Sequence, residues 1–490
     1  MKKNSATRIL FFLNGLIIIT LRMTFFLPFY LSSQQAEPYE RGKIIEKIVC
    51  LADSTQFYSV YLPPDYSQFK PRQWAILFAF DPGARSTLPL QLFEPAAEKY
   101  NYIVVCSGNI MNGPRDPIIK GMKSVWNDVC SRFHIDKQRV YAAGFSGGAR
   151  MASFFSIVIN NPVRGIIACG AGLSEAINPG MLKSTDYCGI VGFADFNYPE
   201  MVTLDQTFDP SDTTHRFFYY DSNHQWPPES LCTRAIQWFE ILAFKNKSIP
   251  PDHTIIKKIF DTELQCTEER KKSGDIFYAA ADYEAIALTF NGLLPSEDIE
   301  TIRQQAAQLK QTKEYRNFQK NEGKRLEREK KYIRIFVNTF AELKSPDFMN
   351  NFPSQVIAKL DIDRLKKEMN KNKSRYDAGM AERLLANLSN KAFEDGTTYL
   401  EQGDFNHADI FLQIAAEAGE RTPFYKYTLY YLSGLYALRG KTDKAFQYLN
   451  EAINNGFDNI SYMETDKNLE PIRSDNRYKE IVGKLKNKKK

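Results

Sequence analysis

The stretch Arg139-Val140-Tyr141-Ala142-Ala143-Gly144-Phe145-Ser146-Gly147-Gly148-Ala149-Arg150-Met151 decides how this chain is read. A run of strand-forming residues passes through Gly144-Phe145-Ser146-Gly147-Gly148 and continues as an amphipathic segment, which predicts a strand, a sharp turn and a helix. The pattern G-x-S-x-G in that context is a nucleophile elbow. Glycines are needed two positions either side of Ser146 because side chains there would collide across so tight a turn. The turn lifts the serine oxygen above the sheet, at the N-terminus of a helix whose dipole favours a developing negative charge. The N–H of Gly147, directly after the serine, is then placed to donate to an oxyanion.

Outward from this stretch, short strand-like runs alternate with amphipathic segments. Strands are predicted at residues 43–50, 58–62, 74–80, 102–107, 139–144, 165–169, 188–192 and 215–220, and helices at 90–100, 118–133, 148–160 and 230–247. Several of the strands are continuous apolar runs, as expected of strands buried on both faces of a parallel sheet. The alternation predicts a doubly wound, mostly parallel α/β domain over residues 43–250, closed by Pro250-Pro251. Residues 251–385 lose the strand signal and form a helical region, with long helices expected at 298–317 and 323–345. The basic run 324–334, interleaved with Glu327 and Glu329, reads as a solvated helix face. Residues 386–483 repeat: Gly396, Tyr399, Gly403, Ala408, Leu412 and Ala415 recur as Ser433, Tyr436, Gly440, Ala445, Leu449 and Ala452, each 37 positions on. This resembles tetratricopeptide repeats, with a terminal cap around Asn468–Tyr478. Two units are few for such an array, so the preceding helices are expected to supply degenerate repeats or a cap, with 280–294 a candidate.

Around the elbow, the first 250 positions resemble the α/β-hydrolase family, most of all its secreted esterases and depolymerase-like members. The resemblance implies a serine, an acid and a histidine in that chain order. Of five histidines, His134 precedes the elbow, His215 starts a strand, His253 follows the prolines and His407 lies in the repeats. His224 remains, in a loop between a strand and the last helix of the domain, and its run His224-Gln225-Trp226-Pro227 resembles the family's histidine loops. The same loop offers Trp226 as a substrate contact. The acid expected is Asp195, just beyond a buried strand, with Asp205, Asp209, Asp212 and Asp221 as alternatives. The second oxyanion donor should come from the loop Phe80-Asp81-Pro82-Gly83-Ala84-Arg85. The family often has His-Gly there; Pro82 has no N–H, which leaves Gly83 or Ala84. The mechanism implied is acyl transfer through Ser146, with no metal or organic cofactor.

Composition narrows the rest. The chain has 490 residues and a net charge of +6, but nine of its basic residues lie in the first 36 and last seven positions. Without those nine, 55 basic residues face 58 acidic ones, which argues against nucleic-acid binding. Residues 1–36 combine a basic start with apolar runs, the pattern of a signal peptide or an N-terminal membrane anchor, and predict an exported, periplasmic or extracellular protein touching membrane only there. The basic tail 484–490 is expected to be disordered and dispensable. Seven scattered cysteines without a CxxC pair argue against a zinc ribbon or a thioredoxin-like centre. These readings converge on an exported serine hydrolase of carboxylic esters, small or polymeric, with a possible protein partner at the repeats. A serine peptidase or thioesterase on the same fold, and a catalytically inactive hydrolase-like domain in an interaction scaffold, are the alternatives.

Overall fold

Apolar runs rich in Val, Ile, Phe and Ala build a central sheet of eight strands: β1 (Ile44–Val49), β2 (Phe57–Tyr61), β3 (Trp74–Phe80), β4 (Tyr102–Ser107), β5 (Ile135–Phe145), β6 (Gly165–Cys169), β7 (Asp186–Gly192) and β8 (His215–Tyr220). The computed structural model describes residues 39–69, 71–208, 213–345, 353–370 and 374–488. The expected signal or anchor at 1–36 and the alternative acids Asp209 and Asp212 lie outside them. The strand order is β1-β2-β4-β3-β5-β6-β7-β8. β2 runs antiparallel to β1 and β4, and every other pair is parallel. This is the doubly wound sheet of the α/β-hydrolase fold. Every residue of β3, β4, β6 and β7 is buried, which is why these strands read as unbroken apolar runs.

Helices cover both faces. Leu90, Phe93 and Ala97 of α1 (Thr87–Tyr100) share one apolar core with Trp238, Phe239 and Leu242 from the helix that closes the expected domain. On the other face, Met122 and Val125 of α2 (Arg115–Arg132) pack with Ala152 and Phe155 of α3 (Gly147–Ile159). A further helix, α4 (Tyr198–Phe208), follows β7, where the sequence reading assigned no element. The closing helix is α5 (Glu229–Lys245).

The apolar core does not stop at Pro251. Residues of α6 (His253–Lys272), α7 (Ile276–Phe290) and α8 (Ser296–Lys310) enter the same cluster as α1 and α5, among them Phe260, Tyr283 and Ile302. The 280–294 segment therefore packs with the sheet domain and not on a repeat. The helix expected at 298–317 divides near Thr312, whose hydroxyl accepts the Tyr315 N–H at 3.2 Å and caps α9 (Lys313–Leu343). The basic run 324–334 is only partly a solvated face, because Arg325 and Glu329 within it are buried.

After α10 (Pro353–Ala358) and α11 (Ile362–Asn370) come two antiparallel pairs. They are α12 (Arg375–Glu401) with α13 (Phe405–Gly419), and α14 (Tyr425–Leu438) with α15 (Thr442–Asn454). Equivalent positions of the 37-residue repeat share one environment: Ala408 and Ala445, Leu412 and Leu449, and Ala415 and Ala452 are all fully buried. The short helix α16 (Ile460–Thr465) leads to α17 (Asn476–Lys488), which corrects the expectation of a disordered tail up to Lys488. Its Tyr478, Ile481, Val482 and Leu485 form a helical apolar stripe against α14 and α15, while the lysines between them face outward. All seven cysteines are free thiols.

Candidate active site

The parallel registers Phe80↔Gly144 and Phe145↔Cys169 put the end of β5 between β3 and β6, at the carboxyl edge of the sheet. Ser146 turns the chain there with φ 54° and ψ −122°, a strained conformation for a residue with a side chain. Its N–H is tied to the Cys169 carbonyl at 2.8 Å. The turn closes so tightly that a Cβ on Gly144 would stand 2.1 Å from the Gly148 oxygen, and one on Gly148 would stand 2.0 Å from the Phe80 oxygen. Both obstacles are backbone, so neither can rotate aside. Gly148→Ala is therefore expected to destabilise the protein by about 3 kcal/mol, the upper end for overpacking. It should also cut any Ser146-dependent activity at least about 100-fold, since the serine must move. Chemical denaturation and a labelling rate on the same preparation check both; unchanged values would refute this account of the elbow.

The structure brings Ser146, His224 and Asp195 into one hydrogen-bonded line. His224 Nε2 lies 2.9 Å from Ser146 Oγ, and His224 Nδ1 lies 2.8 Å from Asp195 Oδ1. A carboxylate only accepts, so Nδ1 carries the proton and Nε2 presents a lone pair to the serine hydroxyl. The imidazole is held between the rings of Phe145 and Phe196, at centroid distances of 4.6 and 4.1 Å. Asp195 Oδ1 also accepts the Asn197 N–H at 2.9 Å, and the Asn197 side chain donates to the Gly170 carbonyl at 2.7 Å. His224 and Asp195 are 5% and 1% exposed, so water does not compete for their shared bond.

The other candidates among the described residues stand away from this line. Asp205 accepts from Tyr219 at 2.8 Å and faces His215, while Asp221 is exposed. His407 pairs with Asp404, and His134 and His253 are exposed at the surface. Trp226 does not line the cleft: it is buried beside Phe145, and its indole N–H donates to Asp81 at 2.8 Å. A buried indole needs an acceptor, and Asp81 supplies one.

The β3 loop departs from expectation for the same reason. Asp81 accepts the Gly83 N–H at 2.9 Å with its side chain and the Ala84 N–H at 3.0 Å with its carbonyl. Neither expected oxyanion donor is therefore directed to Ser146. Burial alone would raise the Asp81 carboxyl, but hydrogen bonds from Arg85 and Trp226 hold it below its ordinary range. Sequence reasoning missed Asn112. Its backbone N–H bonds the Pro82 carbonyl, and its carboxamide lies so close to Gly147 that a Cβ there would meet Asn112 Oδ1 at 1.8 Å. No local signal marks it, since the contact joins the β4 loop to the elbow.

Ser146, Gly147, His224 and Asn112 line a cleft of about 680 Å³, walled by Phe154 and Phe196 and by Asn390, Glu394 and Phe424 of the helical region. Among the described residues no group of three or more His, Cys, Asp or Glu is arranged to hold a metal ion.

No family model matches the chain, and no curated protein does. Solved structures do. The S-formylglutathione hydrolase FrmB of Staphylococcus aureus is 15% identical, with a TM-score of 0.33 over 41% of this chain and 98% of that one. An esterase of Pyrobaculum calidifontis is 10% identical, with a TM-score of 0.34 over 42% and 87%. Est1E of Butyrivibrio proteoclasticus is 9% identical, with a TM-score of 0.33 over 41% and 100%. Each likeness reaches about two fifths of this chain.

Proposed function

We propose that this chain is a serine hydrolase that cleaves carboxylic esters through an acyl-enzyme on Ser146. The observation that carries the reading is the line Ser146–His224–Asp195, with both bonds under 3 Å and the acid and base buried. As Ser146 Oγ attacks the ester carbonyl, His224 Nε2 takes its proton. Asp195 orients the ring and stabilises the imidazolium. His224 then protonates the leaving alcohol, and the same base activates the water that releases the acid. The Gly147 N–H, at the start of α3, donates to the oxyanion; the Asn112 carboxamide stands in for the captured donors of the β3 loop. Export follows from the N-terminal pattern of charge and apolar runs, and the helical repeats offer a surface for a protein partner.

The test is labelling by a fluorophosphonate probe, followed by rates on p-nitrophenyl esters and on aminoacyl anilides. Ser146-dependent label and faster ester than anilide turnover are expected. Absence of label would overturn the hydrolase reading, and a preference for anilides would replace esterase by peptidase.

A further inference from the structure

The proposed acid and base stand on two loops, at residues 192–198 and 221–228, and the sheet anchors only one end of each. Helix α12 crosses both. Arg383, its side chain 3% exposed, makes a two-pronged pair with Glu329 of α9, with Nε at 3.0 Å from Oε1 and Nη2 at 2.6 Å from Oε2. Its remaining Nη1 donates to the carbonyl of Phe193, two residues before Asp195. The guanidinium also lies 4.4 Å from the ring centroid of Tyr198, which ends the acid loop. The Tyr198 hydroxyl continues to Tyr278 and to Glu322, both at 2.6 Å, so a second helix of the region holds the same loop. The neighbouring Glu382 faces Asn223, the residue before His224, in a small apolar pocket that His224 also lines.

Stability alone does not account for such an arrangement. A buried ion pair is often no more stabilising than well-packed apolar residues of the same volume, because both charges lose their water. What an apolar pair lacks is a donor fixed in direction and aimed at a loop carbonyl. Glu329 holds the guanidinium plane, and the free edge of that plane holds Phe193.

We infer that Arg383, clamped by Glu329, is a positioning residue that sets Asp195 against His224, so that the helical region completes the active site from outside the sheet domain. The inference rests on the Ser146 reading. It implies that catalysis and helical packing are coupled through this hydrogen bond to a main-chain carbonyl, beside the contacts made at Tyr198 and Asn223.

The experiment compares full-length wild type with Arg383→Met, Arg383→Lys and Glu329→Gln, each below the melting temperature measured for that variant. The readouts are kcat and KM on a p-nitrophenyl ester and the fluorophosphonate labelling rate. Folded Arg383→Met should lose about 10- to 100-fold in kcat and in labelling, the scale of a misplacement near 1 Å, with KM within about threefold. Arg383→Lys should recover part of the loss, because one ammonium reaches Phe193 or Glu329 but does not bridge them. Wild-type kcat in folded Arg383→Met would overturn the inference. If that variant does not fold, wild-type kcat in Glu329→Gln or Arg383→Lys would overturn it equally, and a lowered kcat at unchanged KM would support it. An unlabelled wild type would instead overturn the hydrolase reading before any variant is compared.

Discussion

Ser146→Ala is expected to abolish turnover and probe labelling, with kcat falling on the order of 10⁵- to 10⁶-fold, equivalent to about 7–8 kcal/mol of barrier. In the proposed mechanism the hydroxyl is the attacking group, and no other serine stands within hydrogen-bond reach of His224 Nε2 among the described residues. His224→Ala should lose nearly as much, and the double variant little more than either, because the two act as one unit. Asp195→Asn should lose about 10⁴-fold, since an amide presents the wrong partner to Nδ1. Stability should barely change in Ser146→Ala. The side chain caps no helix, and its single bond to His224 is worth about 1 kcal/mol net. Steady-state kinetics beside a thermal melt separates these effects. Residual kcat within about tenfold of wild type, in protein checked for contamination, would remove Ser146 from the mechanism.

The second large effect concerns folding. Glu263 of α6 is wedged between Arg216 of β8 and Arg234 of α5, bonding Arg234 at 2.7 and 2.9 Å and Arg216 as well, with its side chain 2% exposed. It fastens the first helix beyond Pro251 to the sheet domain. Glu263→Gln leaves two buried guanidinium groups around a neutral amide and is expected to cost about 3–5 kcal/mol, the range for breaking a buried pair. For a protein of this size that lowers the melting temperature by about 3–5 °C. Burial alone would raise the Glu263 carboxyl, but Arg216 and Arg234 pull it down from 4.5 to about 2. A depressed folded pKa contributes stability that is present above the unfolded value and lost as pH falls toward the folded one. The gap between wild type and Glu263→Gln should therefore be full above pH 5 and shrink between about pH 4.5 and 2. Equal melting temperatures at neutral pH, or a gap that widens in acid, would refute this account.

The parts of the site that were legible in the sequence are those imposed by local sterics. Only glycine fits at positions 144 and 148, so the elbow announces itself in five residues. His224 was reachable because five histidines leave few choices, and Asp195 because a buried strand ends just before it. Asn112 was hidden because its contact joins two loops that no pattern pairs. Trp226 was misplaced because an aromatic beside a catalytic candidate reads as a substrate contact, whereas its N–H serves Asp81. The lysine tail was misread because charge was counted and Ile481, Val482 and Leu485 were not.

The chain by itself determined the alternation of buried strands and helices, the strained serine turn and the helical character of the C-terminal region, since periodicity and turn chemistry act over a few neighbouring residues. Tertiary structure alone decided that helices α6–α8 share the sheet domain's core, that Asp81 captures the β3 loop, and that Arg383 reaches Phe193 across 190 residues. Those are choices about which buried donor meets which acceptor. A buried polar group must find a partner, but the requirement does not name it until the whole chain has folded.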